Sequence, residues 1–280
     1  METTNSFDHY AVMGYPISHS KSPGIHHLFA EQTKQKIVYT AILVEPGDFT
    51  NAVAAFQSQG GKGLNITVPF KEEAWSLVNQ RSVRAEKAGA VNTISLRPDG
   101  SLYGDNTDGI GLVNDITKNQ SITLSNKKVL ILGAGGAVKG VLQPILSENP
   151  AQVIIANRTP EKAIALAQQY ANSESSCSVL GVGFDAIPEQ AFDIVINGTS
   201  SSLAGSIPEI SPGLVNQSFC YDMMYGKEPT TFMQWCQDNN AATVSDGLGM
   251  LIEQAAEAFY VWRKIQPQTK PVISTIRSTI

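Results

Sequence analysis

The sequence predicts an α/β protein of two domains, and three observations carry the prediction. The chain has 280 residues, and at about 150 residues per domain that leaves room for about two. Short apolar or β-branched runs alternate with helical stretches from Tyr10 to Leu96, and a second series of this kind starts near Lys127. Such alternation is the pattern of parallel strands joined by crossover helices. After Asp246 only helical pattern remains. That tail has no strand partners of its own and is expected to pack back on the first domain, making it discontinuous. The expected boundaries are 1–108 for the first domain, 109–244 for the second and 245–280 for the returning helices.

Taken in order, Tyr10–Gly14 reads as a strand ending in a Gly-Tyr-Pro turn. Ser22-Pro23 reads as a helix start, with Ser as the cap and Pro in the first helical position. Ile37–Val44 is a β-branched strand closed by Pro46-Gly47, and Asp48–Ser58 is a helix. Gly63–Val68 is a strand stopped by Pro69, and Glu72–Asn79 is helical. Val91–Leu96 and Ser101–Tyr103 flank Arg97-Pro98-Asp99-Gly100, a hairpin turn. In the second series Lys128–Leu132 is an apolar strand, followed by glycines and a helix to about Ser147. Val153–Ala156 is a strand, Pro160–Tyr170 a helix, and Ile194–Ile196 and Phe219–Tyr221 are short strands. The closing helices run from Asp246 to about Lys264 and from Pro271 onward.

Composition excludes several function classes. With 20 Lys+Arg against 25 Asp+Glu the net charge is −5, so there is no basic excess to neutralise a nucleic-acid backbone. Hydrophobic residues make up 42% and charged residues 16%, a balance that fits a packed core and not a disordered chain. Cys177, Cys220 and Cys236 are odd in number and form no CxxC, as expected of reduced thiols in a cytoplasmic protein. The N-terminal segment lacks the basic and apolar regions of a signal peptide. The most apolar stretch, Val129 to Leu146, is broken by four Gly, a Lys, a Gln and a Pro, so no membrane span is expected. The four histidines all precede residue 28 and form no HExxH, so no metal site is expected.

The most informative segment is Val129-Leu-Ile-Leu-Gly133-Ala134-Gly135-Gly136-Ala137. It is a strand, a glycine turn and a helix start. Gly133 permits the tight turn, Gly135 lets a pyrophosphate approach the backbone, and the helix N-terminus turns free N–H groups toward the anion. The third fingerprint glycine is replaced by Val138. A plain tight turn would use the same glycines, but the strand–helix context points to a Rossmann-like dinucleotide domain. The next strand ends in Asn157-Arg158-Thr159 with no acid. An acid there would bind the ribose 2′-hydroxyl of NAD, whereas a guanidinium and a hydroxyl suit the 2′-phosphate of NADP. The alternative for Arg158 is a surface arginine at a helix start.

Polar clusters mark the first domain. Ser18-His-Ser20-Lys-Ser22 places hydroxyls at a helix N-terminus, where they cap it or bind a carboxylate. In Asn65-Ile-Thr67-Val-Pro-Phe-Lys71, alternation puts Asn65 and Thr67 on one face. Lys71 falls at a helix start, a setting suited to proton transfer or to a solvated first-turn lysine. Asp105-Asn106-Thr107-Asp108 follows the hairpin, and Gln254 lies on the first closing helix.

These motifs, with Ala90-Val-Asn92-Thr93, Asn197-Gly-Thr199-Ser200, Tyr221-Asp-Met223-Met-Tyr225 and Asp246-Gly-Leu-Gly249-Met-Leu-Ile-Glu-Gln254, resemble in order the biosynthetic type of the shikimate dehydrogenase family. The resemblance spans nearly the whole chain. It implies NADPH-dependent, reversible reduction of 3-dehydroshikimate to shikimate in aromatic amino-acid biosynthesis, in a cleft between the two domains. It implies that Ser20 and Ser22 bind the substrate carboxylate, and that Thr67, Lys71, Asn92, Asp108 and Gln254 contact the ring hydroxyls. Tyr225 falls on the substrate side. Lys71 and Asp108 form the implied catalytic pair, Lys71 as acid/base and Asp108 orienting it. Gly133, Ala134, Gly135, Gly136, Ala137, Asn157, Arg158, Thr159, Thr199, Met223 and Gly249 are the implied NADP contacts, Gly249 near the nicotinamide. The sequence departs from the family at His27, where Asn is common, and at Gly198, where Ala is frequent; neither change is expected to matter much. The implied partners are a small-molecule substrate and, at most, a second copy of the chain. The alternatives are an NAD-dependent quinate/shikimate dehydrogenase and a catalytically silent NADP-sensing protein.

Overall fold

In the computed structural model, which describes residues 7–170 and 177–280, the chain divides into two compact units. One comprises 1–111 with 252–278 and the other 112–251. Residues 1–6, part of the segment read for a signal peptide, lie outside the described residues.

The first unit is built on β1 (Asp8–Gly14), α1 (Ser22–Thr33), β2 (Ile37–Leu43), α2 (Phe49–Ser58), β3 (Gly63–Ile66) and α3 (Lys71–Leu77). It continues through β4 (Gln80–Arg81), α4 (Val83–Ala88), β5 (Thr93–Leu96) and β6 (Leu102–Asp105). The sheet order is β2-β1-β3-β5-β6-β4. Strands β2, β1 and β3 are parallel, whereas β3–β5 and β5–β6 are antiparallel, the latter pair being the expected hairpin. The register sets Tyr39 beside Tyr10, Asn65 beside Val12, and Thr93 between Asn65 and Asp105. Because side chains alternate along a strand, Tyr39, Asn65, Thr93 and Asp105 share one face of the sheet. The other face packs a core of Ala11, Met13, Leu64, Ile66 and Ile94 with Phe49, Val53 and Phe70 of the helical side.

Helix α5 (Asp108–Asn114) leads through a π-helical turn, Asp115–Asn119, into the second unit. There follow β7 (Lys128–Leu132), α6 (Gly136–Ser147), β8 (Gln152–Asn157), α7 (Pro160–Gln168), β9 (Ser178–Gly183), β10 (Ile194–Asn197), β11 (Phe219–Asp222), α8 (Thr231–Asp238) and β12 (Thr243–Ser245). The sheet is parallel throughout, in the order β12-β11-β10-β7-β8-β9. Along β7 the side chains alternate between two cores, Val129 and Ile131 in one, Leu130 and Leu132 in the other. Burial on both faces explains why this strand reads as an unbroken apolar run.

The chain closes with α9 (Leu248–Arg263) and α10 (Thr269–Arg277). Within the first unit, Trp262 of α9 donates to the Ile94 carbonyl (3.0 Å), Arg263 pairs with Asp8, and Glu257 pairs with Arg84 (2.8 Å). Arg84 also grips Asp105 through two 2.7 Å bonds, which ties the end of β6 to α9. No helix among the described residues is long and apolar enough to cross a membrane.

One reading of the sequence needs correction. Ser22 is not the cap of α1; the cap position belongs to Lys21, and Ser22 is the first helical residue. Lys21 has near-helical dihedrals (φ −83°, ψ −10°), which start the helix one residue early. The hydroxyl that meets an N-terminal N–H is that of Ser20, which accepts from the Ser22 amide (3.3 Å).

Candidate active site

The first unit gathers its polar residues where strands end and helices begin. Strand β3 stops at Ile66, the Thr67 methyl packs so closely on Gly14 that a Cβ there would lie 2.3 Å from it, and Lys71 opens α3. The Lys71 carbonyl accepts from the Val91 amide (2.9 Å), which brings Asn92 alongside. Lys71 Nζ then reaches Asp108 Oδ2 at 2.6 Å. The second carboxylate oxygen accepts from Asn92 Nδ2 at 2.7 Å. Asn92 is itself 2% exposed, and its carbonyl oxygen accepts from the Thr107 amide (2.9 Å) and the Thr93 hydroxyl (2.8 Å). Gln254 Oε1 stands 3.4 Å from both Asn92 Nδ2 and the Thr107 hydroxyl. An ammonium held on a carboxylate, both sheltered but not sealed, with amide and hydroxyl groups around them, can bind a polyol and exchange a proton with it.

Near this cluster, the Tyr39 hydroxyl donates to Asn65 Oδ1 (2.7 Å), and burial pushes its pKa well up while a bond with Ser22 opposes the rise. Tyr225 belongs to the second unit, where burial and the Asp246 carboxylate raise its phenol pKa. Among the described residues no group of His, Cys, Asp or Glu side chains is arranged to hold a metal ion. His27 is an exposed partner of Glu31, one helical turn away.

The second unit carries a cavity of about 870 Å³ lined by Gly133, Ala134, Gly135, Gly136, Ala137, Asn157, Arg158 and Thr199 of the expected set. Gly133 has φ +108°, a conformation that only glycine adopts readily. Gly135 precedes α6 without any side-chain cap, and a Cβ at Gly135 or Gly136 would point into open space. The first N–H groups of α6 therefore face an open, unhindered space suited to a pyrophosphate. Arg158 lines the cavity together with Lys162, and neither cation has an ion pair among the described residues. Two cations that line the same cavity as a helix N-terminus form a site for a multiply charged anion. This set of groups fits a dinucleotide with a phosphorylated ribose. Thr159, Met223 and Gly249 lie off the cavity wall: the Thr159 carbonyl accepts from the Asn157 side chain (2.9 Å), Met224 takes the lining position beside Met223, and Gly249 backs onto Asp115.

The loop after β10, whose Thr199 and Ser201 line the cavity beside the glycine turn, is held by Asp222. This buried carboxylate accepts from Ser202 (2.7 Å), Thr230 (2.6 Å), Asn197 (3.1 Å) and the Met224 amide (3.1 Å). Burial raises its pKa, and these bonds counter the rise.

Three family models cover the chain in succession. Residues 12–94 match the shikimate dehydrogenase substrate binding domain, residues 115–205 match shikimate / quinate 5-dehydrogenase, and residues 247–277 match the shikimate 5′-dehydrogenase C-terminal domain. The chain belongs to the shikimate dehydrogenase family. Relatives in the family include the shikimate dehydrogenase (NADP(+)) of Cellvibrio japonicus, 54% identical over 96% of this chain and 97% of the relative. That of Nitrosococcus oceani is 51% identical over 96% and 95%. Among solved structures, an Ael1 enzyme from Pseudomonas putida superposes with a TM-score of 0.91 at 43% identity, covering 96% of this chain and 97% of that one. A shikimate dehydrogenase from Thermus thermophilus, in complex with NADP(H) and shikimate, gives 0.85 at 27% identity, covering 98% and 100%.

The structure also explains one departure from the family pattern, Gly198, together with Val138 in the glycine fingerprint. A Cβ on Gly198 would lie 2.4 Å from Val138 Cγ2 and 3.2 Å from Met223 Sδ. Val138 stands where the dinucleotide fingerprint has its third glycine, so the bulk gained at 138 is accommodated by the side chain absent at 198. Gly198 thus matters more than the sequence suggested. Gly198→Ala is expected to destabilise the protein by about 1–3 kcal/mol through overpacking. In combination with Val138→Ala the two losses are expected to fall short of their sum, because each change relieves the other. Thermal or urea denaturation of the single and double variants checks this, and additive losses would refute the pairing.

Sequence reasoning left Tyr39, Thr93 and Lys162 out of the candidate set. Lys162 had a signal: a basic residue one helical turn after Arg158. Tyr39 had none, since a tyrosine in a β-branched strand reads as strand filling.

Proposed function

We propose that the chain catalyses the NADP-linked, reversible interconversion of 3-dehydroshikimate and shikimate, the step of aromatic amino-acid biosynthesis that its relatives are named for. One observation carries the reading: the same chain holds an ammonium–carboxylate pair set among polyol-binding groups and a glycine-turn cavity lined by two cations. Bound NADPH supplies the hydride to the C3 carbonyl carbon. As charge develops on the C3 oxygen, the Lys71 ammonium delivers a proton to it, giving the alcohol. Asp108 holds the ammonium and is itself fixed by Asn92. Thr67, Asn92 and Gln254 orient the ring hydroxyls, Ser20 and Ser22 hold the carboxylate, and Tyr225 is a further substrate contact. Arg158 and Lys162 bind the 2′-phosphate, with Asn157 and Thr199 of the cavity wall completing the cofactor contacts. The enzyme acts in the cytoplasm as a monomer or homodimer.

The test is oxidation of shikimate followed by the absorbance of the reduced nicotinamide, with NADP or NAD and with quinate as a second substrate. Preferred turnover of shikimate with NADP supports the reading. Preference for NAD, or for quinate, would replace it with the broader quinate/shikimate activity, and binding without turnover would leave a sensing protein.

Ser20→Ala is expected to raise KM for shikimate more than it lowers kcat. A carboxylate remote from the reacting carbon is held alike in the ground and transition states. The methyl ester of shikimate should lose less than shikimate does. Equal penalties on acid and ester would sink the carboxylate assignment.

A further inference from the structure

We infer that Arg84 is a positioning residue of the active site: it clamps the strand end that leads to Asp108 onto the helix that carries Gln254, and so sets how these two groups meet the substrate. The inference rests on the proposed function, which puts ring hydroxyls of the substrate on Asp108 and Gln254.

The clamp has three members. Arg84 of α4 donates through Nε to Asp105 Oδ1 and through Nη2 to Asp105 Oδ2, both at 2.7 Å. The same Nη2 donates to Glu257 Oε1 at 2.8 Å. Asp105 ends β6 and Glu257 lies in the middle of α9, so one guanidinium joins two elements far apart in the sequence. Asp105 stands three residues before Asp108, and Glu257 stands three residues after Gln254. On a helix that spacing puts Glu257 and Gln254 side by side on one face.

The path from Asp105 to Asp108 has little slack. Asp105 Oδ1 also accepts from the Ser82 hydroxyl and from the Asn106 amide (2.7 Å). The Asn106 side chain donates to the Ala90 carbonyl (3.1 Å) and accepts from the Asp108 amide (3.2 Å). The Thr107 amide donates to Asn92 Oδ1 (2.9 Å). A displacement of Asp105 is therefore handed on to Asp108. On the other arm, Gln254 Oε1 stands 3.4 Å from Asn92 Nδ2 and from the Thr107 hydroxyl. Both contacts are long for hydrogen bonds, so a small shift of α9 breaks them.

Burial separates this clamp from an ordinary ion pair. The side chains of Arg84, Asp105 and Glu257 are 21%, 6% and 18% exposed. An exposed pair fixes geometry poorly, whereas a two-pronged guanidinium–carboxylate contact shielded from water is directional as well as strong. An ammonium has no planar fork with which to face two carboxylates at set angles, so the residue type is part of the device.

The test is steady-state kinetics with shikimate and NADP, and thermal denaturation, on Glu257→Ala, Glu257→Gln, Gln254→Ala and the double variant Glu257→Ala with Gln254→Ala. Glu257→Ala releases α9 and leaves Arg84 on Asp105. It is expected to raise KM for shikimate at least about threefold, the size of one modest hydrogen bond, and to leave KM for NADP unchanged. Glu257→Gln keeps an oxygen that accepts from Nη2 and should restore KM. The double variant should have a KM no more than about twofold above that of the poorer single variant, because a displaced Gln254 has little left to lose. Arg84→Lys is a second entry to the same clamp and should show the same KM rise and the same non-additivity with Gln254→Ala. Arg263→Ala cuts the other anchor of α9, on Asp8, and should lower Tm without raising KM for shikimate. An unchanged KM in Glu257→Ala, KM rises that multiply, or a Glu257→Gln variant no better than Glu257→Ala would overturn the inference. So would an equal KM rise in Arg263→Ala, which would show that any loosening of α9 suffices. If the wild-type protein does not oxidise shikimate, the functional reading falls first and the inference with it; if it does and the KM rises multiply, the inference falls alone.

Discussion

Lys71→Ala is expected to lower kcat about 10²–10⁴-fold, the usual contribution of a positioned general acid or base, with a much smaller change in shikimate affinity. The geometry states why. The amine stands at the start of α3, 2.6 Å from Asp108, and the carboxylate's other oxygen is taken by Asn92. The ammonium is therefore held in place before substrate arrives and needs no reorganisation to meet a developing alkoxide. Loss of the side chain also leaves Asp108 without its counter-charge, so the variant should be compared with Lys71→Arg, which keeps a cation there. A guanidinium does not release its proton near neutral pH, so Lys71→Arg should keep much of the affinity and still lack turnover. Steady-state kinetics with shikimate and NADP on the three proteins decide it. If either variant keeps more than about a tenth of wild-type kcat, Lys71 is a binding residue and the proton comes from elsewhere.

Much of this site was legible in the sequence because its parts sit at element ends. Lys71 after a strand and a proline, Asp108 after a hairpin, and the glycines after an apolar strand are positions where a local pattern and a chemical role coincide. Strand Lys128–Leu132 could be bounded to the residue, since burial of Val129–Leu132 on both faces leaves an unmistakable apolar run. What remained hidden depends on register. Tyr39 and Asn65 are 26 residues apart, and nothing local says that β2 and β3 both pair with β1. Short elements were also lost. Strand β4 has two residues, and α4 is one and a half turns capped by Ser82, whose hydroxyl accepts from the Ala85 amide (3.1 Å), too brief for periodicity to register. Ser22 was misread as a cap because serine before proline is the usual signal, and only the dihedrals of Lys21 show that the helix begins one residue earlier. The pairing of Val138 with Gly198 is a third case: two departures from a pattern, 60 residues apart, that are one packing decision.

Arg158→Ala is expected to lower the kcat/KM ratio of NADPH over NADH by about tenfold or more. The side chain follows β8 and lines the cavity with the glycine turn and Lys162, with no ion pair among the described residues to give up. A charge-assisted hydrogen bond to a phosphate is worth about 1.5–3 kcal/mol, and about 1.4 kcal/mol is one decade in affinity. NADH lacks the 2′-phosphate and gains nothing from the guanidinium, so its KM should barely move. The penalty should fall on KM for NADPH and not on kcat, because the ribose phosphate is held alike before and during hydride transfer. Lys162→Ala should act in the same direction with a smaller effect, since an ammonium offers a point charge and not a planar fork. Salt supplies an independent check. Both cations are exposed, so screening should weaken NADPH binding to the wild type more than to Arg158→Ala. An unchanged NADPH/NADH ratio in the variant would make Arg158 a surface arginine and move the discrimination to Lys162 and the hydroxyls of the cavity wall.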